Sequence, residues 1–481
     1  MILLAMSIRL NTRKQGVMET TIQNQQALPA RIDRLPIGRE LGTIMLLAGF
    51  AWLIESYDIG IIGNILPLLQ KQYQLTTLDT ALLAIASTIG IVIAVIPAGW
   101  LADTIGRKKV LMMGTAWYAI FSFLCGFSPN IQTIIALRII SGFGMGAVFP
   151  IPYAMATEFM PANKRGMIVG ILDSFLSFGY FLAPLIAFAL IPIVSAGTGW
   201  RYLFFIGGLP LLYIPILYKW MPESPRWLQT KGRYNEADHI VSRIETYIER
   251  RTGKALPQPQ TGGKVIRFNK IHPLSSVFQK EYLQRTLMMW VSFSCILFIF
   301  YAIQTFTPTV LIKQGYGLEN AFLLTTIIVL ASIPGKYLAA WAVERFGRKP
   351  TIITFTLIAA LSALLFGFLP NAALAIFFGV VMSFFGIGVD PVIKVYGAEQ
   401  YNTPMRETGV GYFESVGRFF GGVLAPSIMA FLLAGSGVSG SYVFIAVVAV
   451  IGVLAVAFFG RETKGQSVEN VPESNVLQRS A

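Results

Sequence analysis

Eight ionisable residues stand out in this chain because each lies inside a long apolar run. A charge at the middle of a membrane costs about 2.5–3.5 kcal/mol or more, so such a residue is a candidate for binding or for proton transfer. Carboxylates take up and release protons, whereas lysine and arginine bind anions through charge-assisted hydrogen bonds. The eight residues are Glu55, Asp58, Arg138, Asp173, Asp390, Lys394, Glu414 and Arg418.

Two of these acids have a basic residue four positions later, about one helical turn away. Asp390 is followed by Lys394, and Glu414 is followed by Arg418. Side chains at this spacing are neighbours on a helix surface, so each pair can form within its own helix without any ligand. The spacing alone leaves two interpretations open, an internal ion pair or a binding site.

The elements that must position these residues are membrane-spanning helices. The chain is 54% hydrophobic and 13% charged, whereas about 25% of an average soluble domain is charged. Its apolar runs of about 20 residues have the length of a helix that crosses a bilayer. We therefore predict an all-α membrane protein with twelve spans in two pseudo-symmetric six-helix bundles. The spans are predicted at about residues 42–69, 81–102, 109–127, 131–157, 166–194, 201–220, 286–312, 319–343, 351–369, 372–398, 407–434 and 441–459.

The basic residues predict the orientation in the membrane. Lysine and arginine concentrate in cytoplasmic loops, and here they follow spans 2, 4, 8 and 10. Both termini are therefore predicted to be cytoplasmic. The net charge of +14 is interpreted as loop charge, and no nucleic-acid partner is expected. The basic residues at these joints are Arg107, Lys108, Lys109, Lys164, Arg165, Arg345, Arg348, Lys349 and Arg406.

One long polar segment divides the chain into two halves. A helix is predicted within it, between Asn235 and Arg251, from the 3.6-residue periodicity. The first forty residues lack the apolar stretch of a cleaved signal peptide, and the start is left open between Met1 and Met18. The predicted organisation is a cytoplasmic tail at 1–40, a six-helix bundle at 41–220, a cytoplasmic linker at 221–285, a second bundle at 286–460 and a cytoplasmic tail at 461–481.

Motifs for enzymatic chemistry are missing from the sequence. There is no Gly-x-Ser-x-Gly, no His-Glu-x-x-His and no Walker loop. Cys125 and Cys295 stand singly in apolar runs, so no disulfide framework or Cys-x-x-Cys metal site is expected. The glycines at 142, 144 and 146 lack a preceding strand, so they predict close helix packing rather than a nucleotide loop. We expect no enzyme activity, no cofactor and no metal.

An internal repeat relates the two halves. Spans 4 and 10 end in Glu158 and Glu399, each with an arginine seven residues later. A glycine-rich, basic joint follows spans 2 and 8, and a glutamate-containing segment follows spans 6 and 12. Matched signatures at corresponding joints indicate duplication. These joints are at residues 99–108, 342–349, 222–226 and 460–465.

The chain resembles the major facilitator superfamily over about residues 40–460. The Gly-x-x-x-Asp-x-x-Gly-Arg-Lys joint is that superfamily's loop signature. The Tyr-Asp-x-Gly motif at Asp58, the Arg-x-x-x-Gly motif at Arg138 and the joints at 222–228 and 462–465 resemble the branch of sugar and metabolite porters. The chain is similar to bacterial inner-membrane metabolite porters. The resemblance implies the major facilitator fold, a small-molecule substrate, a multi-pass position in the plasma membrane of a bacterium, and a monomer.

The resemblance also implies a proton-coupling site. In proton-coupled sugar porters the acid of the Tyr-Asp-x-Gly motif accepts the proton, which assigns that role to Asp58 beside Arg138. A carboxylate next to a guanidinium that can move away changes its pKa, which suits reversible protonation. Glu55, nearly one turn earlier, is a second candidate. The alternative is a permanent ion pair that fixes span 1 to span 4.

The predicted substrate site departs from the sugar pattern. Asp173 stands where sugar porters usually have glutamine, and Lys394 stands where they usually have tryptophan. A site that loses amides and a flat ring while gaining cations suits a carboxylate better than a neutral sugar. An organic acid is therefore predicted first and a sugar second, although Asp173 has the alternative of a hydrogen bond between the halves. The predicted substrate-binding residues are Asp173, Gln304, Asp390, Lys394, Glu414 and Arg418.

A gate is predicted at the cytoplasmic joints. Acids there can pair with arginines or helix ends of the opposite half and hold that side closed. The alternative is that the basic residues only set topology and contact anionic lipids. The predicted gate residues are Asp103, Arg107, Glu158, Arg165, Glu223, Arg226, Glu344, Arg348, Glu399 and Arg406.

The sequence as a whole predicts a secondary active transporter that works by alternating access. Coupling to protons is expected, with protons and a small polar metabolite as partners in the lipid bilayer. The alternatives are an uncoupled sugar facilitator and a nutrient sensor that kept the fold without transport.

Overall fold

The computed structural model describes residues 28–161, 165–194, 197–259, 277–368, 372–401 and 406–464. Eleven helices within these ranges are long and apolar enough to cross a membrane. They are Arg39–Tyr73, Thr77–Ile105, Ile131–Ala156, Gly170–Val194, Gly199–Trp220, Tyr282–Lys313, Leu318–Phe346, Arg348–Phe368, Ala373–Glu399, Gly409–Gly435 and Gly437–Phe459.

A twelfth helix, Arg107–Cys125, completes the first bundle. It begins with three basic residues, which reduce its mean hydropathy, and it packs against the helices on either side of it in the sequence. The protein therefore has the twelve predicted membrane helices, which we number as spans 1 to 12 in chain order. The end of the bundle that carries the basic joints after spans 2, 4, 8 and 10 is called the basic face.

The two halves repeat one arrangement. Span 4 packs against spans 2 and 3, as span 10 packs against spans 8 and 9, and the pair of spans 1 and 5 corresponds to the pair of spans 7 and 11. The halves meet where span 1 contacts span 7, span 2 contacts span 11, and span 5 contacts span 8. These contacts surround the centre of the molecule, where the intramembrane charges lie.

Several spans are interrupted close to candidate side chains. Span 4 consists of Ile131–Val148 and Ile151–Phe159, and Pro150 in the break has no backbone N–H to donate. Span 10 consists of Ala372–Gly386 and Asp390–Glu399, so Asp390 begins its second segment. Span 11 contains a π-helical segment, Arg418–Leu424, and such segments are frequent at functional sites.

Spans 6 and 8 are also divided into shorter helical segments. Span 6 consists of Gly199–Ile206, a 3₁₀ segment at Leu209–Tyr213 and Ile214–Trp220. Span 8 consists of Leu318–Leu330 and Ser332–Phe346. The helix of span 5 begins at Arg165, that of span 7 at Lys280, and that of span 11 at Arg406.

The glycines of span 4 pack closely, as predicted. A Cβ atom at Gly142 would collide with the backbone of Ser87 and Gly90 in span 2. One at Gly144 would collide with the backbone of Gly114 in span 3. Small residues let helix backbones approach in this way, so the glycine run is a packing element and not a nucleotide loop.

Two helices of the segment between spans 6 and 7 lie beside residues 28–33. They are Pro225–Thr230 and Tyr234–Thr252, and the second agrees with the predicted surface helix. A short helix at residues 28–33 packs against them through a small apolar cluster. We call this assembly the tail clamp. Its buried apolar residues are Leu28, Ile32, Trp227, Leu228, Ala237 and Val241.

Candidate functional site

A buried ion pair lies at the centre of the first half. Arg138 in span 4 donates from Nη1 to Oδ2 of Asp58 in span 1 at 2.6 Å, and from Nη2 to the Asp58 carbonyl oxygen at 3.1 Å. Ser122 in span 3 donates its hydroxyl to the other carboxylate oxygen. Both charged side chains have no exposed surface. The structure thus brings Asp58 and Arg138 together, and three spans converge on one carboxylate.

Glu55 lies one turn before Asp58 and is completely buried. Neither of its carboxylate oxygens has a hydrogen-bond partner among the residues that the structure describes. An ionised carboxylate without a partner is costly to bury. Glu55 is therefore a group that a proton or a ligand would satisfy.

An aromatic wall supports a cation near the middle of the membrane. The Arg418 guanidinium lies 3.7 Å from the centroid of the Phe149 ring, in the break of span 4. Phe149 stacks on Trp52 at 5.8 Å, and Trp52 Nε1 donates to the Phe149 carbonyl at 2.9 Å. Arg418 also donates from Nη2 to Oε2 of Glu414 at 3.0 Å, which is the pair expected from the spacing.

A four-residue ion network joins the halves. Lys336 Nζ in span 8 lies 2.5 Å from Asp173 Oδ2 in span 5 and donates to the Asp173 carbonyl at 3.0 Å. Lys394 Nζ in span 10 lies 3.1 Å from Asp173 Oδ1 and 2.6 Å from Asp390 Oδ2. We call these four residues the inter-half network. It combines the two alternatives left open by the sequence, the internal pair of Lys394 and the contact of Asp173 across the halves.

Lys336 was missed by the sequence reasoning, although the signal was available. It lies within an apolar helix, Ser332–Phe346, and its side chain is 3% exposed. Like the eight charges predicted to lie within the membrane, this lysine is an ionisable residue inside an apolar run. Its partner could not be read from the sequence, because Asp173 is 163 residues away.

Gln304, the remaining predicted substrate residue, lies at the contact between the halves. It is 8% exposed on span 7, and a Cβ atom at Gly63 of span 1 would collide with its backbone oxygen. The other five predicted substrate residues fall into two groups. Glu414 and Arg418 lie beside the aromatic wall, and Asp173, Asp390 and Lys394 lie in the inter-half network.

The predicted gate residues of the first half form a cluster on the basic face. Arg107 contacts Asp103 at 2.6 Å and Glu158 at 3.3 Å. Glu223 accepts hydrogen bonds from the backbone N–H groups of Arg107 at 2.9 Å and Lys108 at 3.2 Å. The acid thus satisfies the free amides at the start of span 3, where the helix dipole favours a negative charge.

The second half repeats this cluster. Arg348 contacts Glu344 at 3.6 Å and Glu399 at 3.1 Å, and Glu462 accepts from the backbone N–H groups of Arg348 and Lys349 at 2.9 and 3.0 Å. Burial works to raise the pKa of Glu462, but its hydrogen bonds from backbone amides outweigh burial and lower that pKa. We call the two clusters the half clasps.

The half clasps differ from the predicted gate in one respect. Every contact that the structure gives their acids joins residues of the same half, so among the described residues they do not pair across the halves. Among the described residues, the ion pairs that join the halves belong to the inter-half network, deeper in the membrane. Arg226 lies in the helix Pro225–Thr230 beside the first clasp. The side chains of Arg165 and Arg406 lie outside the described residues.

Comparison with known proteins gives one consistent result. The family model described as sugar (and other) transporter matches residues 44–474. A niacin transporter of Acinetobacter baylyi is 32% identical over 92% of this chain and 99% of its own length. A 4-hydroxybenzoate transporter of the same organism is 28% identical over 84% of this chain and 87% of its own length.

Solved structures of transporters have a similar fold. A D-xylose–proton symporter is similar with a TM-score of 0.70 and 21% identity, over 89% of this chain and 100% of that one. These findings agree with the twelve helices, the internal repeat and the absence of enzyme motifs in the sequence. The chain therefore belongs to the sugar (and other) transporter family, it has the fold of the major facilitator superfamily, and it is a multi-pass membrane transporter rather than an enzyme.

Proposed function

We propose that this transporter carries a small aromatic monocarboxylate of the nicotinate type together with a proton, across a bacterial inner membrane. The observation that carries the proposal is Arg418 stacked on Phe149 beside Trp52. It joins a flat apolar surface to a positive charge, which are the two features that such an acid needs. The relatives named for niacin and 4-hydroxybenzoate support it, because both of those compounds are ring carboxylic acids.

Arg418 has the hydrogen-bonding capacity for a carboxylate. A guanidinium carries five N–H donors, and among the described residues its recorded hydrogen bond is the single one to Glu414. Paired N–H donors bind a carboxylate with both oxygens, which fixes its orientation. The aromatic ring of the substrate would then lie against Trp52 and Phe149 in an offset stack.

The Asp58–Arg138 pair supplies the proton site in this proposal. Protonation of Asp58 removes the charge that holds Arg138, which loosens span 1 from span 4. Glu55, one turn away and without a hydrogen-bond partner in the described part of the chain, is the second carboxyl group that can carry a proton. The transporter is expected to act as a monomer, with both termini in the cytoplasm.

Transport by the purified full-length protein in liposomes tests the proposal. An inward acid gradient should drive uptake of labelled nicotinate above its equilibrium level, and a protonophore should abolish the accumulation. Liposomes without protein correct for diffusion of the neutral acid. Unlabelled 4-hydroxybenzoate should compete, whereas D-xylose should not. Gradient-driven uptake of D-xylose without uptake of nicotinate would overturn the proposal in favour of a sugar.

A further inference from the structure

We propose that the carboxylate of Asp173 and the carboxylate of the substrate are alternative occupants of one cation site, formed by Lys336 and Lys394. Asp173 then serves as an internal substitute for the substrate, and it holds the two halves together while the site is empty of substrate. This inference rests on the proposed function, because it requires a carboxylate as the transported solute.

The geometry shows that Asp173 is bound as a ligand would be. Each of its two carboxylate oxygens faces a different lysine, at 2.5 Å from Lys336 and 3.1 Å from Lys394. The carboxylate is 3% exposed, so this contact is inside the protein and is little screened by solvent. Both lysines come from the second half, whereas Asp173 comes from the first half.

The charges of the network fit the exchange of one carboxylate for another. Lys336 and Lys394 carry two positive charges, and Asp390 on the same half carries one negative charge. When Asp173 leaves with span 5, the second half keeps a net charge of one positive unit within the membrane. Such a charge is costly unless an anion compensates it. One monocarboxylate supplies the missing charge, and a dicarboxylate or a neutral sugar does not match it.

The position of the lysines makes this a station separate from the aromatic wall. Lys394 is five residues from the end of its helix at Glu399, and Arg418 is twelve residues from the start of its helix at Arg406. At 1.5 Å per residue, these positions lie about 8 Å and about 18 Å from the basic face. In depth, Lys394 therefore lies between Arg418 and the basic face.

The exchange links substrate binding to movement of the halves. The substrate carboxylate competes with Asp173 for Lys336 and Lys394. Its binding therefore releases span 5 from spans 8 and 10 on the side of the network that is nearest the basic face. A ligand shifts a conformational equilibrium only by its different affinity for the two states. Here the difference arises because the cation site is available only after Asp173 has left it.

A crosslinking experiment on the full-length protein tests this exchange. Ser174 and Tyr337, next to the network, contact each other across the halves at 3.4 Å between their hydroxyl oxygens. Cysteines at these two positions, in a chain whose buried Cys125 and Cys295 are replaced by alanine, can be joined by a short bifunctional thiol reagent. Saturating nicotinate should reduce the crosslinked fraction, and nicotinamide, which lacks the carboxylate, should leave it unchanged.

Two substitutions provide a matched comparison. Asp173→Asn removes the contact across the halves, so it should lower crosslinking without ligand and tighten nicotinate binding about tenfold, as measured by thermal shift. Asp390→Asn removes the same charge from Lys394 but lies within one half. It should not lower crosslinking, because both ion pairs of Asp173 across the halves remain.

The outcomes separate this inference from the proposed function. Loss of every nicotinate-dependent thermal shift would overturn the proposed function, and the exchange with it. Nicotinate binding that leaves crosslinking unchanged would overturn the exchange alone. Equal loss of crosslinking in both variants would also overturn it, because the effect would then follow the charge and not the contact between halves.

Discussion

At the scale of residues, the Asp58 carboxylate is held by side chains from two neighbouring spans. Ser122 in span 3 donates to one carboxylate oxygen, and Arg138 in span 4 donates to the other and to the Asp58 carbonyl oxygen. A neutral side chain of the same shape keeps most of these hydrogen bonds and cannot take up a proton. A substitution of this kind therefore tests whether proton uptake at this position is required for coupling.

We expect Asp58→Asn to abolish accumulation of nicotinate driven by an acid gradient, while counterflow exchange partly survives. Exchange does not require the return of an empty carrier, so it does not depend on release of the proton. Uptake into liposomes with and without a gradient measures both activities. Accumulation near that of the parent protein would show that Asp58 has a structural role and would make Glu55 the next candidate.

The double contact of Lys394 changes what its substitution should do. Lys394→Gln leaves Asp390 and Asp173 with one cation fewer, and breaking a buried pair costs about 3–5 kcal/mol. Adding Asp390→Asn should restore the thermal stability of the protein only in part, because the contact with Asp173 across the halves remains lost. Thermal unfolding of the two variants checks this. Full recovery in the double variant would show that the internal pair is the only important contact of Lys394.

At the scale of elements, the tail clamp connects residues 28–34 to the helix Tyr234–Thr252. Arg31 contacts Glu245 at 2.6 Å and Asp238 at 2.5 Å, and Arg34 contacts Glu245 at 2.6 Å. Partial burial works to raise the pKa of Glu245, but hydrogen bonds and charge from the two arginines outweigh it and hold that pKa below its usual value. The clamp is therefore a charge-dependent contact outside the membrane.

The lowered pKa of Glu245 predicts a loss of the clamp in acid. A depressed carboxyl pKa stabilises the docked state above the undocked pKa, and that stabilisation disappears as the pH falls through the docked pKa. The amide hydrogen exchange rates of residues 28–33, relative to the intrinsic rates at each pH, should accordingly increase below about pH 4.5. Glu245→Gln should raise these exchange rates at neutral pH. Glu236→Gln, which changes the exposed pair with Arg233, should leave them unchanged. Equal effects of the two variants would contradict the prediction.

At the scale of the whole molecule, the basic joints predict an orientation that labelling can measure. In the variant without native cysteines, single cysteines at Thr76, Gly197 and Gly437 should react with an impermeant thiol reagent added outside intact cells. A cysteine at Lys254 should react only after the membrane is opened. If a cysteine at position 197 failed to react with the reagent added outside intact cells, the twelve-span orientation would be contradicted.

The sequence predicts the architecture well because its signals are local. The length of each apolar run gives a span, and the i, i+4 spacing gives the pair of Glu414 with Arg418. The partners of Asp173 depend on how span 5 meets spans 8 and 10, and no spacing in the sequence encodes that arrangement. The partners of the gate residues are likewise not encoded by any spacing. The sequence predicts that they pair across the halves, whereas each half clasp closes within its own half among the described residues.

The closure of each clasp within one half has a consequence for assembly. Each six-helix bundle contains its own polar fastening on the basic face, so neither bundle depends on the covalent connection between them to keep its helices together. Two polypeptides divided between Gly262 and Gly263 and expressed together should recombine into a working carrier. Affinity capture of one fragment should recover the other, together with nicotinate uptake. Separate, inactive fragments would show that the bundles mature only as one chain.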